Sequence, residues 1–221
     1  AGGGKSWDSW LASKRAAAAK RGETGRVGET RLVDTATKSS GASPLHLAAQ
    51  AGDGEMLQLL VDAGAALESR TLAAAGASGT ALYLAARSRS LAAVRVLCVA
   101  GADPNTALPP PSEATPLVAS VEVGDHEIVA ELLEAGAKPD VGSRDSSVHQ
   151  APLLLAVVRG HVKAAEALLE AGANCQIAIA TSADAKDKAS GLIDLARSKR
   201  NFDMLQMLER KPECHLDLSG L

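Results

Sequence analysis

One spacing recurs along this chain and restricts what it can fold into. From a capping position to a closing glycine, four segments span the same 21 positions: Ser43 to Gly64, Thr80 to Gly101, Thr115 to Gly136 and Ala151 to Gly172. The third segment shows the physical content most plainly. Thr115 is a hydroxyl N-cap, Pro116 falls at the first helical position, and Leu117 and Ala119 begin an apolar face. Gly124 ends that helix, because glycine reaches positive φ without a Cβ clash. Ile128, Val129, Leu132 and Leu133 then give the i, i+1, i+4, i+5 stripe of a second buried helix face, which Gly136 closes. A helix pair this short cannot bury its own apolar surface and must stack on copies of itself. Four copies at one spacing therefore predict an all-α stack.

The other copies keep the pattern and change the residues. Ser43-Pro44-Leu45-His46-Leu47-Ala48-Ala49 precedes Gly52-Asp53, Leu57, Leu59-Leu60 and Gly64-Ala65. Thr80-Ala81-Leu82-Tyr83-Leu84-Ala85-Ala86 precedes Val94, Val96-Leu97 and Gly101-Ala102-Asp103. Ala151-Pro152-Leu153-Leu154-Leu155-Ala156 precedes Gly160-His161, Leu168-Leu169 and Gly172-Ala173-Asn174. A fifth, degenerate unit runs from Gly191-Leu192-Ile193-Asp194-Leu195-Ala196 to Phe202, Leu205 and Leu208, with Pro212 where the closing glycine would fall. Its Asp203, Gln206, Glu209, Arg210 and Lys211 suit a solvated end. The chain is 46% hydrophobic but only 2% aromatic. Its core must therefore be built from Ala, Leu and Val, which suits close-packed helices better than a sheet sandwich.

These residues resemble ankyrin repeats. The family's Thr-Pro-Leu-His-x-Ala element stands almost whole at Ser43-Pro44-Leu45-His46-Leu47-Ala48, its Gly-His element at Gly160-His161 and its Gly-Ala-Asp element at Gly101-Ala102-Asp103. The resemblance covers about residues 41–211. It implies an all-α ankyrin-repeat solenoid of helix-turn-helix repeats with projecting hairpin loops, here with an N-terminal helix and extended arm. The chain then divides into a helix and polar arm (1–41), four repeats (about 42–78, 79–113, 114–149 and 150–189), and a degenerate fifth repeat or cap with a short tail (190–221). Two departures carry expectations. Arg89 and Arg200 replace the inter-helix glycine, so those turns should be strained or differently shaped. Ala151 and Gly191 replace the capping Thr, removing a hydrogen bond typically worth about 1 kcal/mol. Successive copies start 37, 35, 36 and 40 residues apart, against the usual period of about 33. Since the helix pair is constant, the insertions fall in the fingers at 65–79, 102–114, 137–150 and 173–190. Such insertions collect on one face, and that face often binds.

The resemblance also implies where a partner would touch. Those places are the inner-helix ends, Gln50, Arg87, Glu122, Arg159 and Lys199, and the fingers, whose apolar residues include Leu72, Leu108, Pro109-Pro110-Pro111 and Val148-His149. Three of the five helix ends are cationic. Residues 42–180 otherwise carry eight Lys/Arg against fifteen Asp/Glu, and residues 1–41 eight against four. The three prolines are stiff and lose little entropy on docking. By the same resemblance His46 is structural, tying one repeat's loop to the next through its ring nitrogens, and His161 is structural too. Residues 6–21 read as a helix capped by Ser6 or Asp8, with Trp7, Trp10 and Leu11 on one face. The two tryptophans either cap the apolar side of the first repeat or anchor in a partner, Trp being enriched at interface hot spots. Residues 22–41 read as a polar linker or arm with a short strand at Arg31-Leu32-Val33.

Several function classes find no support. A net charge of −3 and a pI near 6 oppose nucleic acid as the main partner. Cys98, Cys175 and Cys214 are odd in number and widely spaced, which gives no disulfide framework or zinc motif and fits a reducing compartment. Cys98 reads as a buried small hydrophobe, Cys214 as an exposed thiol in the polar tail. Gly2-Gly3-Gly4-Lys5-Ser6 lacks the earlier glycine and the preceding strand that a phosphate loop needs. His126, His149 and His215 share no ligand spacing, and no nucleophile–base pair is visible. No catalysis, metal, cofactor or small-molecule substrate is expected. No apolar run approaches the roughly 20 residues of a membrane-spanning helix. The chain starts without Met, and its basic, Ala- and Arg-rich opening is similar to the remnant beside an organellar transit peptide. An intracellular site in the cytosol and one in a plastid or mitochondrion both remain open. The expected function is a non-catalytic protein-binding module, a scaffold or accessory subunit of a multi-protein complex, with residues 1–41 running over a neighbouring subunit. The alternative is a soluble adaptor or inhibitor that grips one regulatory partner reversibly with its concave face.

Overall fold

The structure, a computed structural model, describes residues 34, 36–37, 41–71, 79–109, 112–140, 151–175, 192–211 and 214. Among these residues it contains ten α-helices and no strand, arranged as five helix pairs. The pairs are α1 (Pro44–Ala51) with α2 (Gly54–Asp62), α3 (Ala81–Arg87) with α4 (Leu91–Ala100), α5 (Pro116–Val123) with α6 (His126–Glu134), α7 (Pro152–Arg159) with α8 (Val162–Glu170), and α9 (Leu192–Ser198) with α10 (Phe202–Glu209). The first two pairs belong to one compact unit, Ala1–Leu108, and the last three to a second, Pro109–Leu221. In the first unit α1 packs on α3 and α2 on α4; in the second α5, α7 and α9 form the inner row and α6, α8 and α10 the outer row. Each unit is a stack of the solenoid type.

The repeated spacing becomes repeated burial. Leu45, Leu82, Leu117 and Leu153 take one position of the inner helix, and Leu97, Leu132, Leu168 and Leu208 one position of the outer helix; all are fully buried. Removing such a side chain typically costs about 2–5 kcal/mol. Thr80 and Thr115 cap their helices through their hydroxyls, accepting from the amides of Tyr83 (3.4 Å) and Val118 (3.3 Å). Ala151 makes no such bond, as its side chain dictates.

All five inter-helix turns have one shape. At each, the turn residue donates its amide to the carbonyl three residues back, and the next residue donates to the carbonyl five back; Asp53 to Ala48 (3.0 Å), Ser90 to Ala85 (3.2 Å) and Asn201 to Ala196 (3.2 Å) are examples. This closure needs a left-handed turn residue. Gly52, Gly124 and Gly160 supply it at φ of 74°, 76° and 78°, while Arg89 and Arg200 are held there at 60° and 55°. The two arginine turns are therefore strained and not reshaped. Asp53, Ser90, Asp125 and Asn201 then cap the second helices with their side chains, His161 being the exception. Two of these capping residues, and His161, also sit on the turn of the preceding pair. A Cβ on Gly52 would lie 2.9 Å from Ser90 Oγ and one on Gly160 3.1 Å from Asn201 Nδ2, and one on Gly124 would run into the His161 ring.

Several expectations fail at the margins of the array. Leu59, beside Leu60 in the second helix of the first pair, is 65% exposed, and Phe202 is 77% exposed. Phe202 opens α10, the last described helix, so no later pair covers it among the described residues. Cys214 is buried, in a turn whose amide donates to the Lys211 carbonyl (3.0 Å), so the polar tail does not expose it. Cys98 is half-buried on α4 and Cys175 is buried. Asp203, Gln206, Glu209 and Arg210 are exposed and Lys211 half-buried, the solvated face expected of the fifth unit. Among the described residues no helix is long and apolar enough to cross a membrane. The helix at 6–21, the glycine-rich start, the strand at 31–33 and the cap at Gly191 lie outside the described residues.

Candidate protein-binding surface

The inner helices end in side chains that the stack cannot bury. Counting seven positions from each cap gives Gln50, Arg87, Glu122, Val158 and Ser198, all exposed. Arg159 and Lys199, also exposed, lie one position further along than their expected counterparts. At this position helical periodicity turns the side chain away from the neighbouring pair, so packing leaves its identity unconstrained.

In the first unit Gln50 and Arg87 stand on adjacent inner helices. Between them the Ser88 hydroxyl donates to the carbonyls of Ala49 and Ala85, each at 3.1 Å, and joins the two helix ends. Arg87 is in no ion pair with another described residue. In the second unit Glu122 and Arg159 do not face outward as separate charges. Arg159 Nη2 lies 3.2 Å from Glu122 Oε1 across α5 and α7, with both side chains about half exposed. An exposed pair of this kind is worth about 0.2–1 kcal/mol. Lys199, past the end of α9, is in no ion pair with a described residue, while Arg197 is held by Asp194 (3.1 Å) and Glu209 (3.6 Å).

The finger bases are built from backbone amides captured by carboxylates. Glu68 accepts from the Asp103 amide (2.8 Å) and the Thr106 hydroxyl (3.0 Å), and Asp140 accepts from the Asn174 amide (3.0 Å). Asp34 does the same for the Ala66 amide at 2.8 Å. The base of the first finger is pinned by Thr71 and Gly79, which exchange bonds of 3.1 and 3.0 Å. Gly79 is constrained twice, by its φ of 152° and by Tyr83 and Leu108, which a Cβ there would strike. Leu108 is thus half-buried against its own repeat and is not a projecting apolar tip. Pro109 is exposed. Trp7, Trp10, Leu72, Pro110, Pro111, Val148 and His149 lie outside the described residues.

His46 is the buried histidine of the described residues, and both ring nitrogens are committed. Nδ1 accepts the Ser43 amide (3.1 Å) and lies 2.8 Å from the Ser43 hydroxyl, while Nε2–H donates to the Ser69 carbonyl (2.9 Å). The amide can only donate and the carbonyl only accept, so the ring is the neutral Nε2–H tautomer. It ties the start of α1 to the finger that leads into the next repeat. Burial lowers its pKa below 6.5, and hydrogen bonds to backbone groups of Ser69 and Gly79 oppose that shift. His161 serves structure differently, by laying its ring on Gly124. Among the described residues no cluster of three or more His, Cys, Asp or Glu could hold a metal ion, and every buried side-chain nitrogen or oxygen has a hydrogen-bond partner. The second-helix caps were missed in sequence although their signal, an Asp, Ser or Asn directly after the turn residue, was present.

The family model for ankyrin repeats, described as three copies, matches residues 16–107 and again 100–179. An E3 ubiquitin-protein ligase of Arabidopsis thaliana, KEG, is 26% identical over 191 residues; the match covers 83% of this chain and 11% of that protein.

Proposed function

The chain belongs to the ankyrin-repeat family, a family of protein–protein interaction modules, and from that premise we propose that it is a non-catalytic scaffold or accessory subunit of a larger multi-protein assembly. One observation carries this reading. A single backbone position in five successive pairs is exposed in every case and bears a different side chain each time: Gln50, Arg87, Glu122, Val158 and Ser198. Within each unit, a surface that is geometrically repeated and chemically varied suits recognition of a protein partner, with charge setting register and specificity. We place Gln50 and Arg87, with Trp7 and Trp10 from the N-terminal segment, on the binding surface of the first unit, and Glu122, Arg159 and Lys199, with Pro110 and His149 from the fingers, on that of the second. The ligase activity named for the relative is not extended to this chain, whose match spans 11% of that protein.

Affinity capture of the chain from native extract, followed by mass spectrometry, tests the assignment. Recovery of a stoichiometric multi-subunit particle is expected. A single substoichiometric partner overturns the assembly reading in favour of a reversible adaptor or inhibitor.

A further inference from the structure

The first helix pair exposes a face that later pairs cover. Leu47 on α1 is 51% exposed, and Met56 and Leu59 on α2 are 46% and 65% exposed. In the second, fourth and fifth pairs a preceding pair packs alongside within the same unit. There the counterparts of Met56, which are Ala93, Ala164 and Met204, are buried. Leu84, the counterpart of Leu47, is buried, and Val96, the counterpart of Leu59, is half-buried. The open apolar face is therefore the one that a preceding pair would occupy.

Asp34 shows which chain leads to that face. Its bond to the Ala66 amide repeats the finger bonds of Glu68 and Asp140, each of which lies four residues after a closing glycine. Asp34 makes the same bond, although Thr30 and not a glycine stands four residues before it. Upstream, Ala18-Ala19-Lys20-Arg21-Gly22-Glu23 has the spacing of Ala48-Ala49-Gln50-Ala51-Gly52-Asp53, with two alanines, two variable positions, the turn glycine and an acidic cap; Gly22 precedes Asp34 by 12 residues, where Gly52 and Gly124 precede Glu68 and Asp140 by 16, so a repeat built on it is about one helical turn shorter. The family match also begins at residue 16. Charge is complementary: residues 13–33 carry six Lys/Arg and two Glu, whereas residues 42–69 carry four Asp/Glu and no Lys or Arg.

We propose that residues 13–33 form a partial repeat that covers Leu47, Met56 and Leu59. The occupant of this surface is the chain's own N-terminal segment, and only the residues before Ser13, Trp7 and Trp10 among them, are left to reach a partner. Hydrogen–deuterium exchange of the full chain, read by mass spectrometry, tests this against a Leu47→Asp/Leu59→Asp variant. Amides of residues 13–33 should be protected in the wild type and lose that protection in the variant, with α3–α10 unchanged. Ala18→Pro, which leaves the covered face intact, should increase exchange in α2 without unfolding α3 and α4. Unprotected amides at 13–33 in the wild type, or protection that survives the double substitution, overturns the proposal. So does protection of α1 and α2 that grows with protein concentration alongside a larger hydrodynamic size, which would make a second copy the occupant.

Discussion

Replacing Arg89 with glycine should stabilise the protein, although the substitution removes a large side chain. Arg89 occupies the left-handed region at φ 60° only because the turn between α3 and α4 closes with the same hydrogen bonds as the glycine turns. That region costs a residue with a Cβ about 1–2 kcal/mol. Glycine relieves the cost and returns about 0.5–1 kcal/mol through the greater freedom of the unfolded chain. The Arg89 side chain is exposed and makes no hydrogen bond or ion pair with a described residue that would be forfeited. The net expectation is a gain of about 0.5–1 kcal/mol, which raises the melting temperature of a chain this long by roughly 1–4 °C. Arg200→Gly should do the same, and because the two turns lie in different units the gains should add. The mirror substitution must have the opposite sign. Gly52→Ala meets the φ cost and also presses a methyl group against Ser90, whose hydroxyl is 3.2 Å from the Gly52 carbonyl. It should lose at least about 1 kcal/mol. Urea unfolding followed by circular dichroism reads all four proteins. Destabilisation by Arg89→Gly of the same size as that by Gly52→Ala would refute the argument that turn strain decides the outcome.

Other consequences are independent of that turn. Because His46 favours its neutral form in the folded protein, its contribution is fully present above pH 6.5 and is lost as the pH falls below that value. Wild type should therefore lose more stability than His46→Gln between neutral pH and about pH 5, and parallel urea midpoints for the two would contradict the assigned tautomer. Ala151→Thr supplies the missing cap on α7 and should add about 1 kcal/mol; an unmoved unfolding midpoint rules that out. A double-mutant cycle on Glu122 and Arg159, each changed to Ala, should give a coupling energy of about 0.2–1 kcal/mol that shrinks with salt, and a salt-insensitive coupling would mean the pair is not the exposed contact described.

What was legible in the sequence was whatever each pair carries within itself. The 21-residue span predicted four helix pairs and a degenerate fifth unit, and the buried positions of Leu45, Leu82, Leu117 and Leu153 followed from cap-to-stripe distance alone. Positions whose burial depends on a neighbouring pair were not legible at the ends: Leu59 and Phe202 are large apolar residues of the second helices and yet face outward. The pairing of Arg159 with Glu122 was hidden because it depends on how two inner helices align, which turned two candidate contact residues into one neutralised contact. Leu108 was read as a tip because a leucine beside prolines in a long loop gives no sign of the Gly79 and Tyr83 surface on which it packs. Cys214 is buried by a turn at the end of α10 that its polar neighbours do not announce.

The most direct test of the binding assignment is the affinity of the triple variant Arg87→Glu, Arg159→Glu, Lys199→Glu for the partner recovered from native extract, measured alongside its circular dichroism spectrum. Three charge reversals at inner-helix ends, at about 0.5–1 kcal/mol each, should weaken binding roughly ten- to hundredfold while helicity stays that of the wild type. Wild-type affinity with wild-type helicity would remove the inner-helix edge from the account.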